Sequence, residues 1–249
     1  MLFTSLLLMS SAFVSAQAVP VLKPTAVTAL DFSPEYIKNF NTDQSFANCE
    51  KVYEKMKAKN YVLTAADEKT LSYCEETMES PWDIIGGGCS WYCMGGGDSI
   101  TASSYLKSQG KITYGPYNAH DLDYSTAWVE GAAGTGKGEY LVYHFKEQSN
   151  PVHTIIVVNG YVKSKEAWEN NARVKKLRVY ADNKAVAILD LTDERAAQAF
   201  SVKLPGAAAR ETGSKEVLWT LKFEILDVYP GKKYEDAVIT EIYFDGPSH

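Results

Sequence analysis

"VLWTLKFEI", residues 217–225, alternates apolar and polar side chains from Trp219 to Ile225. Successive side chains of a β-strand point to opposite faces, so the four apolar side chains from Trp219 to Ile225 share one face. The polar side chains between them share the other. This pattern predicts a strand with one face in a core and one in solvent, which is typical of an antiparallel sheet.

Similar short runs, separated by Gly, Asn, Asp and Pro, continue from about residue 101 to the end of the chain. Many short strands divided by turn residues are the pattern of a β-sandwich or jelly roll. The second part of the chain is therefore predicted to enclose a core between two antiparallel layers. The predicted strands are 139–145, 152–159, 174–181, 184–191, 198–204, 216–227 and 237–244.

The first residues resemble a secretory signal peptide of the bacterial type. Their apolar run, Leu2 to Met9, is too short to span a bilayer, and small residues that suit signal peptidase follow it. We expect a signal peptide at 1–18 and a secreted or periplasmic protein. No later apolar stretch is long enough for a transmembrane helix, so the protein is not expected to span a membrane.

Four cysteines follow, and export to an oxidising compartment favours disulfides. Cys49 and Cys74 each lie on an apolar helical stripe, so they can meet across a helical hairpin. Cys89 and Cys93 are close enough to bridge within a turn. Of the three pairings we favour Cys49–Cys74 with Cys89–Cys93. A zinc site or a reactive thiol is less well supported, because the spacing is not Cys-x-x-Cys and no His lies nearby.

The charge distribution divides the chain. A net charge of −6 argues against nucleic acid as a partner, and the acids are concentrated between Asp31 and Asp98. Helix-start signals occur in this acidic part, namely Ser33-Pro34, Asp43 and the capping box that begins at Thr64. We therefore expect a linker at 19–32, a small helical region at 33–97 and a β domain at 98–249.

A glycine-rich stretch from Gly131 to Lys137 nearly matches a nucleotide-binding P-loop. That motif needs a hydroxyl residue after the lysine and a helix whose first N–H groups face phosphate. Here Gly138 follows, and then a strand pattern. The sequence predicts a surface loop and no nucleotide.

Four segments of the second part of the chain are distinctive together: ITASSYL (100–106), YNAHDLDYSTAWVEGAAGTGKGEYLVYHF (117–145), VVNGYVKSKEAWENNARVKKLRVYAD (157–182) and DAVITEIYFDG (236–246). They resemble the coagulation-factor 5/8 type C, or discoidin-like, superfamily. The similarity covers about residues 98–246 and is closest to a bacterial branch, the NADase-type glycan-binding or translocation domain. It implies a galactose-binding-like jelly roll with a noncatalytic binding role. Nothing in the chain resembles the NAD glycohydrolase catalytic domain.

A glycan site needs planar hydrogen-bonding groups and an aromatic face, gathered on loops at one end of a sandwich. Loops of the resembling segments supply ten candidates: Asp121, Asp123, Trp128, Glu130, Asn159, Tyr161, Trp168, Asn170, Asn171 and Arg173.

Structural roles compete for several of these residues. Trp128 fits a core position, Asp121 and Asp123 fit caps of their own turn, and Asn159-Gly160 is a turn signal. Arg173 is expected either to grip a ligand or to pair with an acid of the 121–130 segment, and the ion pair is favoured.

Calcium is a further expectation, because jelly rolls of this superfamily often hold a structural Ca²⁺ ion. The available oxygen ligands are Asp121, Asp123 and Glu241, although no Asp-x-Asp-x-Asp-Gly loop is present.

The sequence thus predicts an exported, noncatalytic protein that binds a glycan or another cell-surface ligand. One alternative is a cell-envelope module that binds protein. Another is a secreted glycoside hydrolase-like enzyme using carboxylates among Asp121, Asp123, Glu130 and Glu139. No Gly-x-Ser-x-Gly or His-Glu-x-x-His motif is present, which argues against the familiar hydrolases.

Overall fold

A computed structural model describes residues 18–42, 45–74, 80–85, 90–94, 99–146, 149–204 and 219–246. The expected signal peptide lies outside these residues except for its last position. Asp43 and Cys89 lie outside them as well, so the Cys89–Cys93 pairing stays a prediction.

Three helices form the N-terminal region: α1 (Pro34–Thr42), α2 (Ser45–Met56) and α3 (Ala65–Cys74). Ser33 caps α1, since its Oγ accepts the N–H of Tyr36 at 3.1 Å. The capping box of α3 is reciprocal: Thr64 Oγ1 accepts the N–H of Asp67, and Asp67 accepts the N–H of Thr64. The predicted disulfide between Cys49 and Cys74 is confirmed, and it joins α2 to α3.

Eleven strands are described, and each of the seven predicted ones is among them with ends shifted by no more than three residues. In chain order they are β1 (Val21–Leu22), β2 (Ala26–Ala29), β3 (Ser99–Ala102), β4 (Trp128–Val129), β5 (Tyr140–Phe145), β6 (Thr154–Asn159), β7 (Ala172–Ala181), β8 (Lys184–Asp190), β9 (Ala196–Ser201), β10 (Trp219–Tyr229) and β11 (Ala237–Asp245). A short helix, α4 (Lys165–Asn170), lies between β6 and β7.

The strands form the two layers of a jelly roll. One layer has the order β2-β9-β6-β11, with β4 also paired to β11, and the other has the order β8-β7-β10-β5-β3. Neighbours in these two orders pair antiparallel, and β1 is added to β8 in parallel. The layers join where β11 runs parallel to β7 for two residues. The fold is thus the predicted mainly β jelly roll, preceded by a disulfide-linked helical region.

The core lies between the layers. On β10 the four apolar side chains from Trp219 to Ile225 are buried while those between them are partly exposed, so the predicted alternation is confirmed. Trp219 stacks on Phe145 of β5 at 4.1 Å between ring centroids. Trp91, which the sequence analysis placed in the helical region, packs into this core against Phe145 and Phe244.

The expected linker at 19–32 is instead part of the sheet, because β1 pairs with β8 and β2 pairs with β9. The sequence pattern missed both strands because β1 is only two residues long, with Leu22 packed against the core, and the side chains of β2 are exposed throughout. Val21 and Val27 are exposed. Phe32 follows β2 and packs against Trp82 and Tyr124, over the outer face of the β6–β9 layer.

Candidate functional site

A groove of about 360 Å³ opens where three connections of the jelly roll meet. We call it the loop groove. The connections are the one before β4, the one between β6 and β7 that contains α4, and the one between β10 and β11. Tyrosines, amides and carboxyls make up its polar and aromatic lining: Gln109, Tyr114, Tyr161, Glu166, Asn170, Asn171, Tyr234 and Asp236.

Hydrogen bonds at both ends of α4 fix the two connections that form this side of the groove. Ser164 caps α4 by accepting the N–H of Ala167 at 3.0 Å, and the amide of Asn171 donates to the Ala167 carbonyl at the other end. The carbonyl of Asn170 accepts the N–H groups of Lys233 and Tyr234, at 3.1 and 2.8 Å. The β10–β11 connection is therefore bound to the β6–β7 connection.

The tyrosines supply the aromatic surface of the groove. Tyr114 and Tyr161 are buried in its floor, whereas Tyr234 is 44% exposed at its edge. Burial raises the pKa of Tyr114, whose hydroxyl donates to Gln109 Oε1 at 3.4 Å. The ammonium of Lys163 lies 4.3 Å from the ring centroid of Tyr161. Tyr234 is thus the tyrosine of the groove nearest to solvent, with the ammonium of Lys233 5.0 Å from its ring centroid.

Two carboxyls in the groove have no ion pair with a lysine or arginine in the described part of the chain. Glu166 lies on α4 and is exposed. Asp236 is half-buried, and burial, followed by the charge of Glu235, raises the pKa of its carboxyl. Both are available as hydrogen-bond acceptors.

The structure brings three of the ten predicted ligand residues into this groove: Tyr161, Asn170 and Asn171. Trp128, Glu130 and Asn159 are fully buried and present no surface to a ligand. Trp128 donates from its indole to the Ser104 carbonyl at 3.0 Å. Each of these three was a binding candidate, and the structure places each in a buried position.

The side chains of Glu130 and Asn159 form hydrogen bonds with backbone groups of other residues. Glu130 accepts the N–H of Ala132 at 2.8 Å and of Ala237 at 3.3 Å, and burial raises the pKa of its carboxyl. The Asn159 side chain exchanges two hydrogen bonds with the backbone of Val174, at 2.6 and 2.8 Å. Both side chains thus join neighbouring strands or loops.

Arg173 forms an ion pair, but its partner is Asp193 rather than an acid of the 121–130 segment. Its Nε and Nη2 donate to the two oxygens of that carboxylate at 2.7 and 3.0 Å. Its Nη1 also donates to the Asn171 carbonyl at 2.9 Å, and the guanidinium lies 4.5 Å from the Trp168 ring centroid. Trp168 in turn donates to the Asn159 carbonyl. Arg173 and Trp168 therefore hold α4 in place next to the groove.

Asp121 and Asp123 act within their own turn. Asp121 accepts the hydroxyl of Thr126 at 2.6 Å, and Asp123 accepts the N–H of Ser125 at 2.7 Å. The turn is bound to the N-terminal region, since the N–H of Tyr124 donates to the Trp82 carbonyl. Neither aspartate lines the loop groove.

Glu241 is the third residue expected to bind calcium, and it is fully buried. One carboxylate oxygen accepts the N–H of Leu122 at 2.9 Å, and the other has no hydrogen-bond partner among the described residues. Burial, followed by the charge of Asp121, raises the pKa of Glu241. Burial also lowers the pKa of the neighbouring His120, so this imidazole is neutral near pH 7.

The carboxyls near Glu241 do not form a metal site by themselves. The described residues contain no group of three or more His, Cys, Asp or Glu side chains placed to hold a metal ion. Calcium therefore stays a prediction, and the unpartnered oxygen of Glu241 is the observation that supports testing it.

The glycine-rich loop leads directly into β5, as the sequence analysis predicted, so it presents no helix start to a phosphate. Lys137 lies in this loop and pairs with Asp227 of β10 at 2.8 Å. Within the described residues no helix is both long and apolar enough to cross a membrane.

Five residues that line the loop groove were not among the ten ligand candidates predicted from the sequence. Tyr234 follows a turn signal, Pro230-Gly231, and Asp236 opens the last quoted segment. Gln109, Tyr114 and Glu166 were not selected either. The sequence does indicate Tyr234 as a loop aromatic residue, because it closely follows the Pro-Gly turn signal, and binding residues often lie on loops.

A family model for the NAD glycohydrolase translocation F5/8 type C domain matches residues 91–245, which is more than half of the chain. The chain belongs to this family. The match begins at Trp91 and ends within β11 and so spans the second part of the chain, including the loop groove. The resemblance inferred from the sequence is thereby confirmed for this translocation-type F5/8 type C domain. No curated protein matches the chain.

Solved structures similar to this family member are distant. The CBM32-1 and CBM32-2 domains of Clostridium perfringens ZmpB are 14% identical, with 86% of this chain and 58% of that chain covered and a TM-score of 0.42. The same domains in complex with GalNAc are 12% identical, with 60% and 33% covered and a TM-score of 0.40. Mycobacterial arabinofuranosyltransferase AftD is 18% identical, with 59% and 10% covered and a TM-score of 0.40. The chain thus spans between a tenth and just over half of these chains, and similarity at this level does not indicate a ligand.

Proposed function

We propose that this jelly roll binds a carbohydrate in the loop groove without transforming it. The observation that carries the proposal is the combination of tyrosine faces with amide and carboxyl groups in one groove. Sugar rings have an apolar face that packs on aromatic rings, and their hydroxyls need planar donors and acceptors around the edge. A volume of about 360 Å³ is in the range of small-ligand sites.

Each class of group in the groove has a role in this proposal. Tyr234 is the exposed aromatic platform. Asn170 presents its amide, whereas the amide of Asn171 also binds the end of α4. Glu166 and Asp236 accept hydrogen bonds from sugar hydroxyls. Arg173 and Trp168 act through α4 as positioning residues.

The composition of the groove favours a sugar over a protein partner. A protein-binding surface is expected to offer a broad apolar patch, whereas this groove mixes aromatic and polar groups. The disulfide between Cys49 and Cys74 supports export to an oxidising compartment as part of the proposal.

The four carboxyls considered for a hydrolase are engaged in hydrogen bonds within the fold, which argues against the hydrolase alternative. Glu130 is buried on backbone N–H groups, and Glu139 accepts hydroxyls from Ser103 and Ser104. Asp121 and Asp123 cap their own turn. Glu166 and Asp236 do share the loop groove, so a binding test must include an assay for product release.

The test is a glycan array followed by calorimetry with the sugar that binds. Tyr234→Ala should reduce binding by about fivefold to thirtyfold, since stacking on one aromatic platform contributes on the order of 1–2 kcal/mol. Tyr117→Ala is the matched control, because Tyr117 is exposed but does not line the groove. Equal binding by both variants, or release of a reducing end from the bound sugar, would contradict the proposal.

A further inference from the structure

A second groove lies beside the loop groove, on the other side of the connection between β10 and β11. It has a volume of about 480 Å³ and shares Tyr234 with the loop groove. Thr135 and Lys137 of the glycine-rich loop line it, together with Lys232 and Lys233. We call it the lysine groove. We propose that the lysine groove binds a tetrahedral oxyanion, a phosphate or sulfate group.

The glycine-rich loop owes its shape to alternating glycines. Gly134, Gly136 and Gly138 have φ angles of +96°, +68° and +91°, which other residues rarely adopt. A Cβ atom on Gly136 would lie 2.6 Å from the Cγ of buried Glu130, so this position tolerates only glycine. Gly136 therefore packs directly against the Glu130 side chain. The residues on either side of it, Thr135 and Lys137, line the lysine groove.

The lysines retain free hydrogen-bond donors despite their ion pairs. Lys137 binds Asp227 at 2.8 Å, and Lys232 binds Glu169 at 2.7 Å. The two lysine side chains remain 53% and 69% exposed. An ammonium group has three N–H donors, so one bond to a carboxylate leaves others for an oxyanion. The third lysine, Lys233, lies over the Tyr234 ring.

The lining of the groove carries three lysines and one carboxylate, Glu235, although the whole chain is acidic. The acids that pair with Lys137 and Lys232, namely Asp227 and Glu169, lie outside this lining, and each is shared with a further lysine at 3.4 or 3.9 Å. Glu166 of the loop groove also acts electrostatically on Lys233.

Hydrogen bonds from two lysines keep the acids paired with them ionised. The hydrogen bond from Lys137 lowers the pKa of Asp227 to about 2. The bond from Lys232 lowers the pKa of Glu169. Charge-assisted bonds from ammonium groups to oxyanions are stronger than bonds between neutral groups. The N–H donors that Lys137 and Lys232 keep beyond these bonds are therefore what would bind an anion in the groove.

The shared Tyr234 suggests how the two grooves work together. A sugar ring on Tyr234 in the loop groove would place a phosphate or sulfate substituent near Lys233. This combined use rests on the proposed carbohydrate binding, whereas oxyanion binding by the lysine groove does not.

Sulfate titration of the full chain at constant ionic strength tests the site. In ¹H–¹⁵N spectra, the amides of 134–137 and 231–235 should shift and saturate. The double variant Lys137→Gln/Lys233→Gln should raise the Kd for sulfate at least about tenfold, because it removes two charge-assisted donors. Lys184→Gln removes one exposed charge from another hairpin and should leave the Kd unchanged. Unsaturable shifts spread over many lysines, or an unchanged Kd in the double variant, would overturn the proposal.

A second arm separates a free anion from a substituted sugar. A heparin-derived disaccharide and its desulfated form are compared by calorimetry. Tighter binding of the sulfated form, weakened both by the double lysine variant and by Tyr234→Ala, supports combined use of the grooves. Saturable sulfate binding with no affinity for any sugar would keep the lysine groove and refute the proposed carbohydrate function.

Discussion

Replacing Arg173 with alanine should destabilise the protein because its guanidinium is buried and fully engaged. The side chain is 7% exposed, forms a two-point ion pair with Asp193, donates to the Asn171 carbonyl and packs on Trp168. Breaking a buried ion pair by removing one partner costs about 3–5 kcal/mol. The Asp193 side chain is 36% exposed and regains water, which reduces the cost to about 3 kcal/mol.

A loss of about 3 kcal/mol should lower the Tm by about 6–12 °C for a chain of this length. Scanning calorimetry measures this change, and Arg178→Ala is the control. Arg178 is 37% exposed and lies 3.9 Å from Glu224, so its removal should cost less than about 1 kcal/mol. Arg173 is thus expected to act as a positioning residue. An unchanged Tm in Arg173→Ala, combined with complete loss of sugar binding, would show instead that the guanidinium grips the ligand.

Three further perturbations test other parts of the structure. The double variant Cys49→Ser/Cys74→Ser removes the disulfide that joins residues 25 positions apart, and it should destabilise the helical hairpin by about 3 kcal/mol. Proteolysis between α2 and α3 should become faster, whereas hydrogen exchange in β10 should not change. Hydrogen bonds, first of all the one from the Thr64 side chain, lower the pKa of the Asp67 carboxyl. The stabilisation that this carboxylate provides is therefore complete above the unfolded-state pKa of about 3.9, and it is lost as the pH falls through the lower folded-state pKa. The difference in unfolding free energy between wild type and Asp67→Asn should therefore be constant from pH 5 to 7 and shrink below about pH 4. Calcium should raise the Tm of the wild type but not of Glu241→Gln; no rise in the wild type would show the calcium prediction to be wrong.

The strands could be predicted where packing decides them. β10 alternates because one of its faces lies in the core, and the same is true of β5. β1 and β2 could not be predicted in this way, because backbone pairing at a sheet edge leaves no pattern in exposed side chains.

The candidate site was predicted only in part, for two physical reasons. Tyr161, Asn170 and Asn171 were found because loops beside strands carry binding residues. Tyr234 was missed because its position next to α4 depends on hydrogen bonds to a carbonyl distant in the chain. The Asp193 partner of Arg173 lies in the connection between β8 and β9, and sequence order does not show that this connection reaches β7.

The central claim is that the loops at one end of the jelly roll bind a sugar, and the most direct test is to map the contact. A sugar identified on the array is titrated into ¹⁵N-labelled full chain, and amide shifts are assigned. The account predicts saturable shifts centred on Tyr161, Asn170 and Tyr234. Shifts centred on the outer face of β10, or on the helices α1 to α3, would contradict it.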